Sequence, residues 1–180
     1  STVNDLVRTP ADVSTLLVRA AEDLASHQVR YAEMTVTPVM HEMRGLPHEG
    51  LLDGLDDGRR LAAALGVELA WIYDIPGQHG QPAAERTLRL ALEQPPDGLV
   101  GFGLAGAEAG VARPDNTCAF DEEIAGGLRS VPHAGEGDGP ASVRAALDDL
   151  RAERIGHGVR TIEDPALVAE LAERRIPLEV

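Results

Sequence analysis

Val67-Glu68-Leu69-Ala70-Trp71-Ile72-Tyr73, followed by Asp74, is apolar at every position except Glu68. A strand on a half-wet sheet alternates apolar and polar residues. A run that does not alternate has both faces buried, as in parallel sheets. Similar short β-rich runs recur outward at residues 29–35, 98–104, 128–132, 154–156 and 176–180. Segments of helical period lie between or before them, at residues 10–27, 51–65, 82–93, 115–126, 140–151 and 165–175. Thr9 reads as the cap of the first, with Pro10 at its first helical position. Asp164 caps the last, ahead of Pro165. The strand starts at 29, 67, 98, 128, 154 and 176 are spaced by 38, 31, 30, 26 and 22 residues. That is the βα rhythm of a parallel sheet. A doubly wound sheet and a (β/α)8 barrel both fit it. Residues 37–50 form the longest irregular stretch, and loops of that length are often functional. One domain over residues 1–180 is expected, with no low-complexity segment.

Composition narrows the chemistry. All 16 cations are arginine, against 30 acids, for a net charge of −14. Without lysine there is no Schiff base, no P-loop lysine and no kinase-type lysine. The single cysteine, Cys118, excludes an internal disulfide framework and a CxxC site. Cys118 is expected to be a small, at least half-buried residue on a helix. Acidity argues against nucleic-acid and anionic-membrane partners. Only 3% of residues are aromatic, too few for a base-stacking platform. No apolar run reaches the roughly 18 residues of a membrane helix. The opening residues lack the basic and apolar regions of a signal peptide. The expectation is a soluble cytoplasmic protein with a small-molecule partner.

In either parallel architecture, chemistry sits at the carboxyl ends of the strands. Those ends carry Glu33, Thr35 and Thr37, then His41, Asp74, Gly106 with Glu108, His133-Ala134-Gly135-Glu136, His157 between two glycines, and Glu179. Gly101, Gly103 and Gly106 make GxGxxG, but inside a strand run rather than opening a helix, so the match is weak. His133 offers a neutral ring nitrogen to a metal. Glu136, if shielded from water, could serve as a general acid. His157 could orient or deprotonate an attacking water. Taken singly, each has a plain structural reading. Taken together on consecutive strand ends, they point to metal-assisted hydrolysis. His27 ends a helix, where a cation is favourable, and His48 and His79 read as solvated loop residues. His41 could reach a pocket from its loop.

The segments Ser130-Val131-Pro132-His133-Ala134-Gly135-Glu136 and Glu153-Arg154-Ile155-Gly156-His157-Gly158 resemble the adenosine deaminase family. Pro177-Leu178-Glu179-Val180 resembles the start of that family's next signature. Gly103-Leu104-Ala105-Gly106-Ala107-Glu108 resembles its purine-contacting strand, and residues 29–38 an earlier one. The resemblance runs from about residue 9 to 180. It implies a (β/α)8 TIM-type barrel, of which six βα units, the second to seventh strands, are present. It also implies a catalytic zinc ion, with His133 as its ligand. Glu136 would protonate purine N1, His157 would hold and activate the water, and the Gly106 backbone would contact purine N3. The products would be a hypoxanthine compound and ammonia.

Departures from the family pattern bear on the substrate. Gly103 and Ala107 stand where many members carry acids, and Thr35 where many carry arginine. Residues 35–38 and 73–77 resemble a subgroup, and some family members deaminate 6-aminodeoxyfutalosine. No His-x-His pair occurs, and the family's eighth-strand aspartate lies past residue 180. The expectation is therefore one incomplete metal-dependent deaminase domain with most zinc ligands absent. Two open sheet edges would favour a homo-oligomer. The competing readings are a catalytically incompetent fragment acting through oligomerisation or binding, and a different metal-dependent hydrolase on the same barrel.

Overall fold

The computed structural model describes residues 6–180. Helix α1 (Pro10–Ser26) opens on a reciprocal cap. The Thr9 hydroxyl accepts the Asp12 N–H at 3.2 Å, and the Asp12 carboxylate accepts the Thr9 N–H at 2.9 Å. Strands β1 (Tyr31–Val36), β2 (Glu68–Pro76) and β3 (Leu99–Ala105) then pair in parallel in chain order. The short β4 (Arg129–Ser130) joins β3. Strands β5 (His133–Ala134), β6 (Ile155–His157) and β7 (Leu178–Glu179) form a second parallel set, again in chain order.

The break between β4 and β5 has a local cause. The Val131 N–H donates to the Phe102 carbonyl at 2.9 Å, continuing the ladder to β3. Pro132 has no N–H, so that ladder stops there. Its carbonyl instead accepts the Gly156 N–H at 3.1 Å, across to β6. Residues 129–134 thus act as one wall position, and the wall has six. The strand order never reverses. A doubly wound sheet needs such a reversal, whereas a barrel wall advances one way. The fold is a parallel α/β barrel wall of six βα units; among the described residues, β1 and β7 are each paired on one side only.

Helices α2 (Pro38–Met43), α3 (His48–Ala64), α4 (Gly80–Glu93), α5 (Thr117–Ala125), α6 (Pro140–Asp148) and α7 (Pro165–Arg174) follow the strands. Leu69, Trp71, Tyr73 and Ile75, alternate residues of β2, join the main core with α1, α3 and α4. The intervening Ala70, Ile72 and Asp74 take the opposite face of the strand, as the period of two requires. A second, smaller core joins Ala134 and Ile155 to residues of α6 and α7.

Three expectations are corrected. Residues 37–50 are not irregular: Pro38 starts α2, and α3 begins three residues before Leu51. Its isolated proline and short length hid α2 from periodicity. His48 is not a solvated loop residue. It lies in the first turn of α3 at 4% exposure, with Nε2 2.9 Å from the Gln94 carbonyl and its ring edge-on to Tyr73. Cys118 is exposed, on the outer side of α5.

Candidate active site

His133, Glu136 and His157 come together at the carboxyl ends of β5 and β6. The two imidazoles stand edge to face, with ring centroids 5.0 Å apart. His157 Nε2 lies 3.4 Å from Glu136 Oε2. Gly106, just past β3, borders a small cleft that also includes His133, Glu108 and Arg113. His41 lies apart from this cluster. It borders a cavity of about 450 Å³ with Thr35 and Met40, and its buried Nδ1 has no partner.

Glycine makes this arrangement possible at one position above all. Gly156 is the register partner of His133. A Cβ at residue 156 would sit 2.6 Å from His133 Cδ2, so only glycine lets the imidazole lie across β6. Beside it, His157 adopts φ +68°, a left-handed conformation that costs a non-glycine residue about 1–2 kcal/mol. Such strain gathers at functional sites when the surroundings hold it in place. Here the Gly158 N–H donates to the Ala134 carbonyl at 2.8 Å, fixing the turn.

Burial holds the His133 pKa below the ordinary imidazole range, and the neighbouring His157 adds to that. Glu179, Glu136 and Glu108 pull weakly the other way. The result is a neutral imidazole, the form that binds a metal or accepts a proton.

Asp74, expected just past a strand, lies inside β2 because that strand runs on to Pro76. It is 1% exposed, and its Oδ1 has no partner. Burial pushes its pKa up to about 8, with the charge of Glu179 contributing. Asp74 is in register with Gly103, and a Cβ at residue 103 would collide with its carboxyl. Glycine at 103 therefore makes room for an acid reaching over from the neighbouring strand.

Lower in the wall, Arg154 pairs with Glu33 of β1 and, at 2.6 Å, with Glu179 of β7. Burial works to raise the Glu33 pKa, but hydrogen bonds from Arg154 and Tyr31 outweigh it, and the net shift is downward. Sequence reading missed Arg113, and it gave Arg154 and Glu108 no role. Each reaches at least one partner 20 or more residues away, which no local spacing reveals.

The donor set fits one corner of a zinc site. His133 is a suitable ligand, half-buried and neutral. Among the described residues, no three His, Cys, Asp or Glu side chains converge closely enough to hold a metal ion by themselves.

The family model for adenosine deaminase matches residues 1–180. The chain belongs to the adenosine deaminase family. It is 54% identical over 181 aligned positions to an aminodeoxyfutalosine deaminase of Streptomyces coelicolor, covering 99% of this chain and 47% of that protein. It is 39% identical to an adenine deaminase of a Chelativorans species, covering 97% of this chain and 54% of the other. The crystal structure of adenine deaminase from Arthrobacter aurescens superposes with a TM-score of 0.91 at 28% identity, covering 97% of this chain and 53% of that one. A zinc-bound amidohydrolase from Burkholderia ambifaria superposes with a TM-score of 0.90 at 27% identity, covering 96% and 48%. The chain spans about half the length of the curated relatives it matches. Among the described residues, no helix is long and apolar enough to cross a membrane.

Proposed function

We propose that this chain carries the acid–base side of the active site of a hydrolytic deaminase that acts on the adenine ring of a purine nucleoside. The observation that carries the reading is the contact between Glu136 and His157, 3.4 Å apart, beside the half-buried neutral His133. An acid and a base whose side chains meet can serve the two ends of one addition step. Water adds to purine C6 while Glu136 gives its proton to N1. His157 orients the attacking water and takes its proton. The amino group then takes the proton held by His157 and leaves C6 as ammonia, the C6 hydroxyl returns a proton to Glu136, and a hypoxanthine ring remains. The Gly106 backbone, left-handed at φ +97°, is the segment we assign to purine N3. A zinc ion, when bound, supplies a water of lowered pKa, and His133 is the one residue here assigned to it. Fold likeness by itself leaves the reaction open. Family membership and the assembled triad favour deamination over another barrel hydrolase.

Among adenine nucleosides, 6-aminodeoxyfutalosine is the proposed substrate. The most similar relatives reported above favour it over adenosine, as does Gly103 in place of a pocket acid. We assign the protein to the cytoplasm, with no nucleic-acid partner. The test uses the full gene product, purified with zinc, and follows the ultraviolet shift of 6-aminodeoxyfutalosine, adenosine and adenine. The expected order of kcat/KM puts 6-aminodeoxyfutalosine first. Glu136→Gln should lower kcat by about 10²–10⁴-fold. No turnover of any of the three would overturn the reading.

A further inference from the structure

Glu108 has no part in the chemistry above, yet it is 7% exposed and directly behind the acid. Its Oε1 accepts the Glu136 N–H at 3.2 Å. Its Oε2 accepts the N–H of Gly137 at 3.1 Å and of Asp138 at 2.6 Å. Three successive amides thus converge on one carboxylate from a distant part of the chain. Arg113, itself 4% exposed, places Nη2 3.7 Å from Glu108 Oε1. The same Nη2 donates to the His133 carbonyl at 3.3 Å, and Nη1 donates to the Val111 carbonyl at 3.2 Å. One buried ion pair therefore grips His133 by its carbonyl and Glu136 by its amide.

The turn needs such a grip. It reads Gly135-Glu136-Gly137-Asp138-Gly139, with glycine at alternate positions. Glycine gives the backbone more freedom than any other residue, so ordering it costs the most entropy. Glu136 itself has a side chain 59% exposed, so packing does little to anchor it. Hydrogen bonds to the backbone must do so instead. An ionised carboxylate only accepts, with about four lone-pair sites, so it can serve three amides at once. A glutamine there would turn an NH₂ group toward one of them.

We propose that Glu108, backed by Arg113, is the positioning residue for Glu136, fixing its carboxyl against His157 through the backbone of the glycine turn. The inference rests on the deaminase reading of Glu136. It adds to that reading a residue that never touches substrate.

The experiment compares wild type, Glu108→Gln and Glu108→Asp as full gene products. It reads steady-state kinetics on 6-aminodeoxyfutalosine and adenosine, and amide hydrogen exchange. Glu108→Gln should lower kcat by about 10–100-fold, the usual size of such an outer-shell effect, with KM nearly unchanged. Exchange should accelerate at residues 136–138 and stay slow in β2. Glu108→Asp, which keeps the charge, should recover part of the loss in kcat. An unchanged kcat in Glu108→Gln overturns the proposal. So does a fall in kcat accompanied by equally fast exchange in β2, which would mark general loosening. If wild type turns over no adenine nucleoside, the deaminase reading falls by itself. Exchange at residues 136–138 then decides whether Glu108 holds the turn, and unchanged exchange overturns that.

Discussion

The two halves of the wall are built differently. In the first, β1 to β3 are six to nine residues long, and the core beneath them holds Trp71, Tyr73, Phe102 and Phe120. In the second, β5 to β7 are two or three residues long. Its core is small and contains no aromatic residue, with three alanines among eight buried positions. Yet His133, Glu136 and His157 all sit on this thinner half. Buried apolar area sets stability at about 25 cal/mol per Å². The first half therefore supplies the rigidity that the second half's strained strand ends require. A strained histidine survives only where the structure around it is over-determined.

The largest expected effect breaks the strong half. Trp71 is fully buried, and its Nε1 donates to the Asp97 carbonyl at 3.0 Å. Trp71→Ala should cost about 3–5 kcal/mol, with loss of cooperative unfolding in a urea titration. Leu171→Ala, in the smaller core, should cost about 2 kcal/mol, the low end for such truncations. Equal costs would mean that the two cores are equally dense, and the comparison would fail.

The next prediction cuts the tie between the halves. Arg154 holds Glu33 of β1 and Glu179 of β7. Arg154→Met would leave two carboxylates facing each other across the wall. Its guanidinium is 26% exposed, so the cost should fall below the 3–5 kcal/mol of a fully buried pair, at about 2 kcal/mol. Separate probes in each half, Trp71 fluorescence and amide exchange in β6, should then give different midpoints in denaturant.

These contrasts also explain what was legible beforehand. The long, continuously apolar β2 announced a parallel sheet from its residues alone. So did the periodic helices and the caps at Thr9 and Asp164. The site histidines were legible because both stand at strand ends, His157 between two glycines and His133 two residues before Gly135. The split at Pro132 was not, because a proline reads equally well as a strand end. Helix α2 was too short to show a period. Glu108, Arg113 and Arg154 act across the fold, where only topology brings partners together. Asp74 was visible as an acid after an apolar run. Its burial depends on Gly103 of the neighbouring strand, a pairing that only the register reveals.

Asp74 gives a pH-dependent test of the strong half. Its folded pKa of about 8 lies above the unfolded value near 3.9. Between those values the folded state binds more protons than the unfolded state. Stability therefore falls as pH rises through this window, by about 1.4 kcal/mol per unit where the difference is a full proton. Below pH 4 the contribution is absent, and above pH 8 the loss is complete. Asp74→Asn should flatten the difference in unfolding free energy between pH 6 and pH 7 by about that amount. Glu123, buried and also pushed up to about 8, contributes the same slope in both proteins and cancels in the comparison.

The smallest effect probes how the thin half is held without a large core. Asp164 caps α7 by accepting the N–H groups of Ala166 at 3.0 Å and Leu167 at 3.2 Å. The same carboxylate accepts a bond from Arg144 of α6 at 2.8 Å, and Arg144 also pairs with Glu170 at 3.2 Å. One side chain thus closes a helix end and ties two helices together. The ion pairs are largely exposed and weak alone. Removing a cap costs about 1 kcal/mol. Asp164→Ala should cost about 1–2 kcal/mol in a urea titration, more than Thr9→Ala at the cap of α1. Thr9 stabilises its own helix end, whereas Asp164 also closes a bridge between helices. Where apolar packing is thin, a capping residue that serves two elements replaces part of what a larger core would do. Equal costs at the two caps would show that the bond from Arg144 to Asp164 adds nothing to the cap.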